Sequence, residues 1–176
     1  MGNQVIVQPI HEWMDVEGLT NYYTFSTVIW GKETPFSVSL EKPLKDLTIH
    51  EKYLLVKIAT KEIGWLEQNK ERMVAALVDD GILELAEDWV SGAQEVEGKE
   101  NCFEVEDGQQ VQLPISQKDF EDSVYLNSLG LTFEQDLLDG FSMAIYIQCS
   151  PDYFAYHSIE VYYESDHQIK VNGLAG

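Results

Sequence analysis

The residues best suited to chemistry lie together near the C-terminal end of the sequence. Asp152, His157 and Glu160 fall within one short stretch, and with Phe154 they form the spaced set D-x-F-x-x-H-x-x-E. An imidazole between two carboxylates is a combination used for general acid–base catalysis and for binding metal ions. One hypothesis is therefore a hydrolase-like enzyme with a divalent metal near Asp152, His157 and Glu160.

The strand period opposes the simplest form of that hypothesis. Successive side chains of a strand point to opposite faces, so His157 shares a face with Ile159 and Val161, whereas Glu160 points the other way. In the alternative interpretation, His157 lies half buried at a strand entry, with its ring nitrogens paired by backbone groups or by Asp152. We favour this structural interpretation, and we predict no catalytic residue, cofactor or resident metal.

Two other partial matches to catalytic motifs fail in their context. His11 and Glu12 begin like the zinc-protease motif H-E-x-x-H, but Asp15 stands where the second histidine belongs. The segment G-F-S-M-A around Ser142 resembles a nucleophile elbow, yet Ser142 would begin a strand, whereas the elbow joins a strand to a helix. The sequence also lacks the glycine-rich nucleotide motifs, the calcium-loop spacing and paired Cys-x-x-Cys.

The charge of the chain restricts its partners. The 31 acidic residues outnumber the 11 basic ones, which gives a formal net charge of −20. Such a field repels phosphate backbones and anionic lipid surfaces, so direct nucleic-acid or membrane binding is disfavoured. A basic protein partner is favoured instead. The alternative is that the charge serves only to keep the protein in solution.

Residues 91–110 concentrate acids and glycines and are predicted to form an acidic loop. Long loops often carry binding residues. The candidate contacts for a basic partner are the acids of this segment: Glu95, Glu97, Glu100, Glu104, Glu106 and Asp107.

The rest of the chain predicts a single α+β domain over residues 1–176. Residues 1–45 form an N-terminal β segment, with strands at 5–7, 22–30 and 36–40 and a turn over 31–34. Residues 49–90 form two or three helices that begin at a Thr48/Glu51 capping box and expose their lysines and glutamates. After a short helix marked by Ser116 and Asp119, residues 111–176 form a four-stranded antiparallel meander packed against these helices.

Two C-terminal motifs carry a resemblance to a known family. The segment from Ile115 to Phe120 reads I-S-x-x-D-F, and Asp152, Phe154, His157, Ile159 and Val161 read D-x-F-x-x-H-x-I-x-V. With the terminal segment 172–176, this pattern resembles the bacterial domain-of-unknown-function family 2262 over roughly residues 50–176. The resemblance implies a β meander after the first motif, and it implies no activity.

The leading hypothesis is a non-enzymatic bacterial binding protein that engages a basic partner. Small acidic bacterial domains are similar in size and charge to the immunity proteins of toxin systems, which suggests toxin neutralisation. The N-terminus lacks the pattern of a signal peptide. Two cysteines in a chain of this length indicate free thiols in a reducing compartment. We therefore expect a cytoplasmic location. The sequence makes no prediction of oligomeric state.

Overall fold

The structure, a computed structural model, describes residues 12–15, 21–134 and 136–176. The strand expected at 5–7 lies outside the described residues. In the described part of the chain, the α-helices are α1 (Ile49–Gln68), α2 (Lys70–Asp79), α3 (Ile82–Ser91) and α4 (Gln117–Ser123). The strands are β1 (Met14–Asp15), β2 (Tyr22–Ile29), β3 (Lys32–Ser39), β4 (Gln94–Glu95), β5 (Cys102–Glu104), β6 (Gln110–Gln112), β7 (Val124–Thr132), β8 (Ser142–Cys149), β9 (Ser158–Glu164) and β10 (Lys170–Ala175).

The described strands form two sheets. One is mostly antiparallel and has seven strands in the order β1-β2-β3-β7-β8-β9-β10, and the other is the antiparallel β4-β5-β6 sheet. The α+β class is therefore confirmed, but the expected four-stranded meander is not a sheet of its own. Its strand β7 pairs in parallel with β3, with Phe36 opposite Leu129 and Val38 opposite Leu131. This pairing joins the N-terminal strands to the C-terminal ones and satisfies backbone groups that a free sheet edge would leave unpaired.

Two compact units can be distinguished, each built from separate stretches of the chain. The first contains the described residues up to Lys70, together with Leu126–Ile145 and Tyr162–Gln168. The second contains Glu71–Tyr125, Tyr146–Val161 and Ile169–Gly176. The single domain inferred from the sequence stays a prediction.

The β2–β3 hairpin of the first unit turns on two residues. Trp30 and Gly31 have φ values of 52° and 76°, and Ile29 pairs with Lys32 directly after them. Positive φ at both central residues is the geometry of a type I′ turn, whose twist matches that of the flanking strands. The turn is therefore formed by Trp30 and Gly31, earlier in the chain than most of the predicted 31–34 segment. The sequence pattern did not indicate Trp30 as a turn residue because positive φ is uncommon for a bulky side chain.

Helix α1 begins at the predicted capping box. The Thr48 hydroxyl accepts from the backbone N–H of Glu51 at 3.2 Å, and the Glu51 carboxylate accepts from that of Thr48 at 2.6 Å. The pKa of Glu51 is lowered to about 2, chiefly by the hydrogen bond from Lys42 and secondly by the hydrogen bonds from Thr48. The helix buries one apolar stripe, but it also buries Glu62 completely. The expectation that its glutamates are exposed is therefore wrong at Glu62, which has hydrogen-bond partners inside the first unit.

The second unit begins with α2 and α3, joined at Gly81. This glycine has φ 85°, a left-handed conformation that side chains disfavour. Helix α3 buries Ile82, Ala86 and Val90 along one face. The short helix expected near Ser116 is confirmed as α4, since the Ser116 hydroxyl caps it by accepting from the N–H of Asp119 at 3.0 Å.

The predicted loop over 91–110 is wrong in its local structure. Strands β4 and β5 lie within it, and β6 begins at its end, with Phe103 opposite Val111 in the register. These strands are two or three residues long, too short to produce a visible two-residue period. Cys102, Val105 and Val111 are buried in and beside these strands.

No helix in the described part of the chain is both long enough and apolar enough to cross a membrane.

Candidate functional site

The Asp152 carboxylate organises the segment between β8 and β9 in the second unit. Its Oδ2 accepts from the N–H of Tyr156 at 2.7 Å, and its Oδ1 accepts from the N–H of Phe154 at 3.2 Å. The backbone N–H of Asp152 in turn donates to Asp107 at 2.9 Å. Asp152 is only 9% exposed, so these bonds satisfy a buried carboxylate. Its immediate role is to hold the turn.

The turn held by Asp152 has an unusual backbone. Ala155 and Tyr156 have φ values of 48° and 67°, so two consecutive residues with side chains are left-handed. Such conformations raise the energy of a non-glycine residue and persist only where the surroundings fix them. Here the turn leaves the Tyr156 side chain 67% exposed, while its hydroxyl donates to the carbonyl of Glu106 at 3.3 Å.

His157 lies just before β9 and is half buried. Its Nδ1 is 3.0 Å from the Phe154 carbonyl oxygen and 3.2 Å from that of Ala155. Because a carbonyl oxygen only accepts, Nδ1 of the neutral ring carries the proton. The ring also meets Trp89 edge to face, with centroids 5.3 Å apart. Gly176 approaches its other atoms so closely that a Cβ there would lie 2.7 Å from Cδ2.

The other residues of the signature serve different contacts. Phe154 is 1% exposed and meets the Trp89 ring at 6.1 Å, so it is a core residue. Glu160 accepts from the Tyr146 hydroxyl at 3.2 Å and from the Asn172 amide at 3.4 Å. The structure thus brings Asp152, Phe154 and His157 into one turn and gives Glu160 partners on neighbouring strands. Within the described residues, no three His, Cys, Asp or Glu side chains are grouped so as to hold a metal ion.

The acids of residues 91–110 are all exposed, and we call them the acidic sheet surface because most of them lie on or beside the β4-β5-β6 sheet. They are Glu95, Glu97, Glu100, Glu104, Glu106 and Asp107. Asp107 has a structural role as well, since its carboxylate accepts from the N–H groups of Asp152 and Gln109. Among the described residues, the other five carboxylates make no hydrogen bond, and all five residues are exposed.

A cavity of about 670 Å³ lies beside this surface in the second unit, and we call it the Trp89 groove. Its apolar walls include Trp89, Val105, Tyr153 and Ala155, and its carboxylates come from Asp88, Glu104, Glu106 and Asp152. Among the described residues that line it there is no lysine, arginine or histidine. The groove therefore combines an aromatic wall with uncompensated negative charge.

Of the residues that line the groove, Glu104, Glu106 and Asp152 are among the candidates predicted from the sequence, whereas Asp88 and Trp89 are not. In the sequence, Trp89 follows Ile82, Leu85 and Ala86 at helical spacing, which is typical of a core residue, and the neighbouring Asp88 is typical of the solvated side of a helix. In the structure, Trp89 is 37% exposed and lines the groove. An acid next to a tryptophan in the last turn of α3, followed by Gly92, is the signal that could have identified this site.

The described residues form an α+β fold with a mostly antiparallel seven-stranded sheet, and they place exposed acids beside the Trp89 groove. The chain belongs to the family described as "Uncharacterized protein conserved in bacteria (DUF2262)", whose model matches residues 18–174. The resemblance inferred from the C-terminal motifs is thus confirmed, and it extends further toward the N-terminus than residue 50. No curated protein and no solved structure matches the chain.

Proposed function

We propose that this protein is a non-enzymatic binding protein that engages a basic protein partner through its acidic sheet surface. The observation that carries the proposal is that all six acids of residues 91–110 are exposed, on the strands of the β4-β5-β6 sheet and on the turns that connect them. Lys99 is the basic residue within that segment, and its Nζ donates to Gln110 at 2.6 Å. The surface therefore presents almost entirely negative charge.

The net charge of −20 supports the same proposal through the rate of association. A field of one sign steers an oppositely charged partner toward the surface and raises the association rate steeply at low ionic strength. Salt screens this steering, since the Debye length falls to about 10 Å at 0.1 M. Packed contacts near the surface then determine how long the complex lasts.

Toxin neutralisation fits this mode of binding. A toxin that acts on nucleic acid needs a basic surface to bind phosphates, and an acidic protein can cover such a surface. The partner is thus proposed to be a basic bacterial toxin, with this chain acting as its immunity protein in the cytoplasm. The contacts of Asp152 and His157 support a non-enzymatic role, because their polar atoms are used to fix a turn.

Affinity capture from a lysate of the source bacterium tests the proposal. Tagged protein is immobilised at low salt, washed, and eluted with increasing salt, and the eluted proteins are identified by mass spectrometry. The expected result is a basic protein in near-stoichiometric amount. The double variant Glu97→Gln/Glu100→Gln should retain much less of this partner. The control variant Asp79→Asn/Asp80→Asn removes the same number of charges from exposed positions at the end of α2, and it should still retain the partner. Equal retention by all three proteins would contradict the proposal.

A further inference from the structure

The Trp89 groove has features that select a particular kind of basic group. Its volume of about 670 Å³ falls inside the range of about 300–1,000 Å³ typical of ligand sites. Apolar and acidic residues together line the groove. A ligand that suits it must therefore be cationic and must also present a flat or apolar surface.

Trp89 contacts two other rings and is partly exposed. Phe154 meets its ring at 71° with centroids 6.1 Å apart, and His157 meets it at 62° and 5.3 Å. Both contacts are edge to face, and Trp89, which is 37% exposed as a residue, lines the groove. An indole presented in this way is the preferred partner for a cation stacked on its face.

Carboxylates lie around the same groove. Asp88, Glu104 and Glu106 are exposed, and they come from α3, from β5 and from the segment after β5. Acids that line one groove from three segments can accept hydrogen bonds from a donor bound in it. A guanidinium group has five N–H donors in a fixed fork and stacks on aromatic rings, whereas an ammonium group is a strongly hydrated point charge.

A second exposed aromatic side chain lies beside the groove. Tyr156 donates its hydroxyl to the carbonyl of the groove residue Glu106, and the left-handed turn at 155–156 keeps its ring 67% exposed. Exposed tyrosines and tryptophans of this kind often supply much of the binding energy of an interface.

We propose that the Trp89 groove receives an arginine side chain of the basic partner, with the guanidinium stacked on the indole and hydrogen-bonded to the carboxylates of Asp88, Glu104 or Glu106. The inference rests on the proposed function and specifies its recognition chemistry. The occupant is an extended arginine-bearing segment of a protein, because the groove is open, carries several negative charges and exceeds the volume of one side chain.

Calorimetric titration with synthetic peptides tests this assignment. The probes are a blocked heptapeptide with three arginines separated by glycines, the same peptide with lysines, and the same peptide with neutral citrullines. The arginine peptide should bind the native protein at low salt at least several-fold more tightly than the lysine peptide, and the citrulline peptide should not bind measurably. Equal affinity for the arginine and lysine peptides would overturn guanidinium recognition.

Two groove variants and one matched control locate the site. Trp89→Leu should weaken arginine-peptide binding by about five- to thirty-fold, as expected for the loss of a cation–π contact. Asp88→Asn/Glu104→Gln should weaken it about ten-fold or more, whereas Asp79→Asn/Asp80→Asn, with the same net charge, should change it less than two-fold. If Trp89→Leu does not fold by circular dichroism, the double variant decides alone.

The outcomes separate this inference from the proposed function. Equal weakening by the groove pair and the control pair would show that only the overall charge attracts the peptide, and the groove assignment would be overturned. Absence of peptide binding would overturn it too. In either case, salt-dependent capture of a basic protein through Glu97 and Glu100 would leave the proposed function standing.

Discussion

The Nε2 atom of His167 lies 2.6 Å from Oε2 of Glu62, a carboxylate with no exposed surface. The Tyr163 hydroxyl donates to the same oxygen at 3.2 Å, and the His167 ring stacks on Trp65 with centroids 4.4 Å apart. Oε1 of Glu62 lacks a hydrogen bond among the described residues, and Lys61 Nζ lies 3.9 Å from it. The first unit thus contains a buried polar cluster that joins α1 to the end of β9 and the turn after it.

His167→Ala should destabilise the protein by about 3–5 kcal/mol, because it leaves a buried carboxylate with less compensation. Urea unfolding measures the change. Lys61→Ala is the control, since the Lys61 side chain is 69% exposed and an exposed ion pair contributes less than about 1 kcal/mol.

The double variant Glu62→Leu/His167→Leu tests whether the loss of stability comes from leaving one member of the pair buried without its partner. Replacing both members of a buried pair by apolar groups is often nearly neutral, so this variant should be more stable than His167→Ala. A double variant no more stable than His167→Ala, or a loss below about 1 kcal/mol for His167→Ala, would contradict a coupled buried pair.

Ala155→Gly should stabilise the protein by about 0.5–1 kcal/mol, because glycine adopts φ 48° without a Cβ clash. Ala93→Gly is the matched control: its φ is not positive, so the same substitution should destabilise by up to about 1 kcal/mol. Thermal or urea unfolding of both variants checks the signs. Destabilisation by Ala155→Gly comparable to that of the control would show that the left-handed turn is not strained.

Asp152→Ala should destabilise the protein by about 1–3 kcal/mol for each backbone N–H left unpaired, and Asp152→Asn should cost less because it keeps one acceptor oxygen.

The enzyme hypothesis makes a different prediction. If a divalent ion bound here, it would raise the Tm of the native protein, and His157→Ala would abolish that rise. We expect no such shift, and its observation would support a metal-dependent activity.

Stability should fall at alkaline pH. Burial raises the pKa of Cys149 from 9.0 to about 12 and that of Tyr153 from 10.0 to about 12. Both groups are neutral when protonated, so their contribution is fully present below about pH 9 and is lost as pH rises toward 12. Urea unfolding at pH 8, 9.5 and 11 measures the loss. Cys149→Ala should reduce the slope between pH 9 and 11, and an unchanged slope would contradict a buried neutral thiol.

Local signals predicted much of the secondary structure. The Thr48 hydroxyl and the Glu51 carboxylate specify the start of a helix through contacts between residues three apart. In β8 and β9, the alternation of apolar residues in the sequence matches the alternation of buried positions in the structure. The parallel pairing of β3 with β7 joins residues that are far apart in the sequence, so no local pattern encodes it. The β4-β5-β6 sheet could not be predicted because β4 has no buried residue and β5 and β6 have one each, which is too few to show a period.

The site was only partly predictable for a related reason. The acids of residues 91–110 are recognisable from composition, and the period of β9 separates His157 from Glu160. The burial of Glu62 and the exposure of Trp89 reverse the usual preferences of these residue types, and both follow from partners distant in the sequence. Glu62 is stabilised by Tyr163 and His167, and Trp89 is oriented by Phe154 and His157.

The association rate constant of the captured partner, measured by stopped flow between about 0.02 and 0.2 M salt, tests the central claim most directly. If the acidic sheet surface steers the partner, the rate should fall at least about ten-fold over this range. Glu97→Gln/Glu100→Gln should lower the rate at low salt more than Asp79→Asn/Asp80→Asn does. A rate that does not change with salt, or equal effects of the two charge-matched variants, would contradict a basic partner bound at this surface.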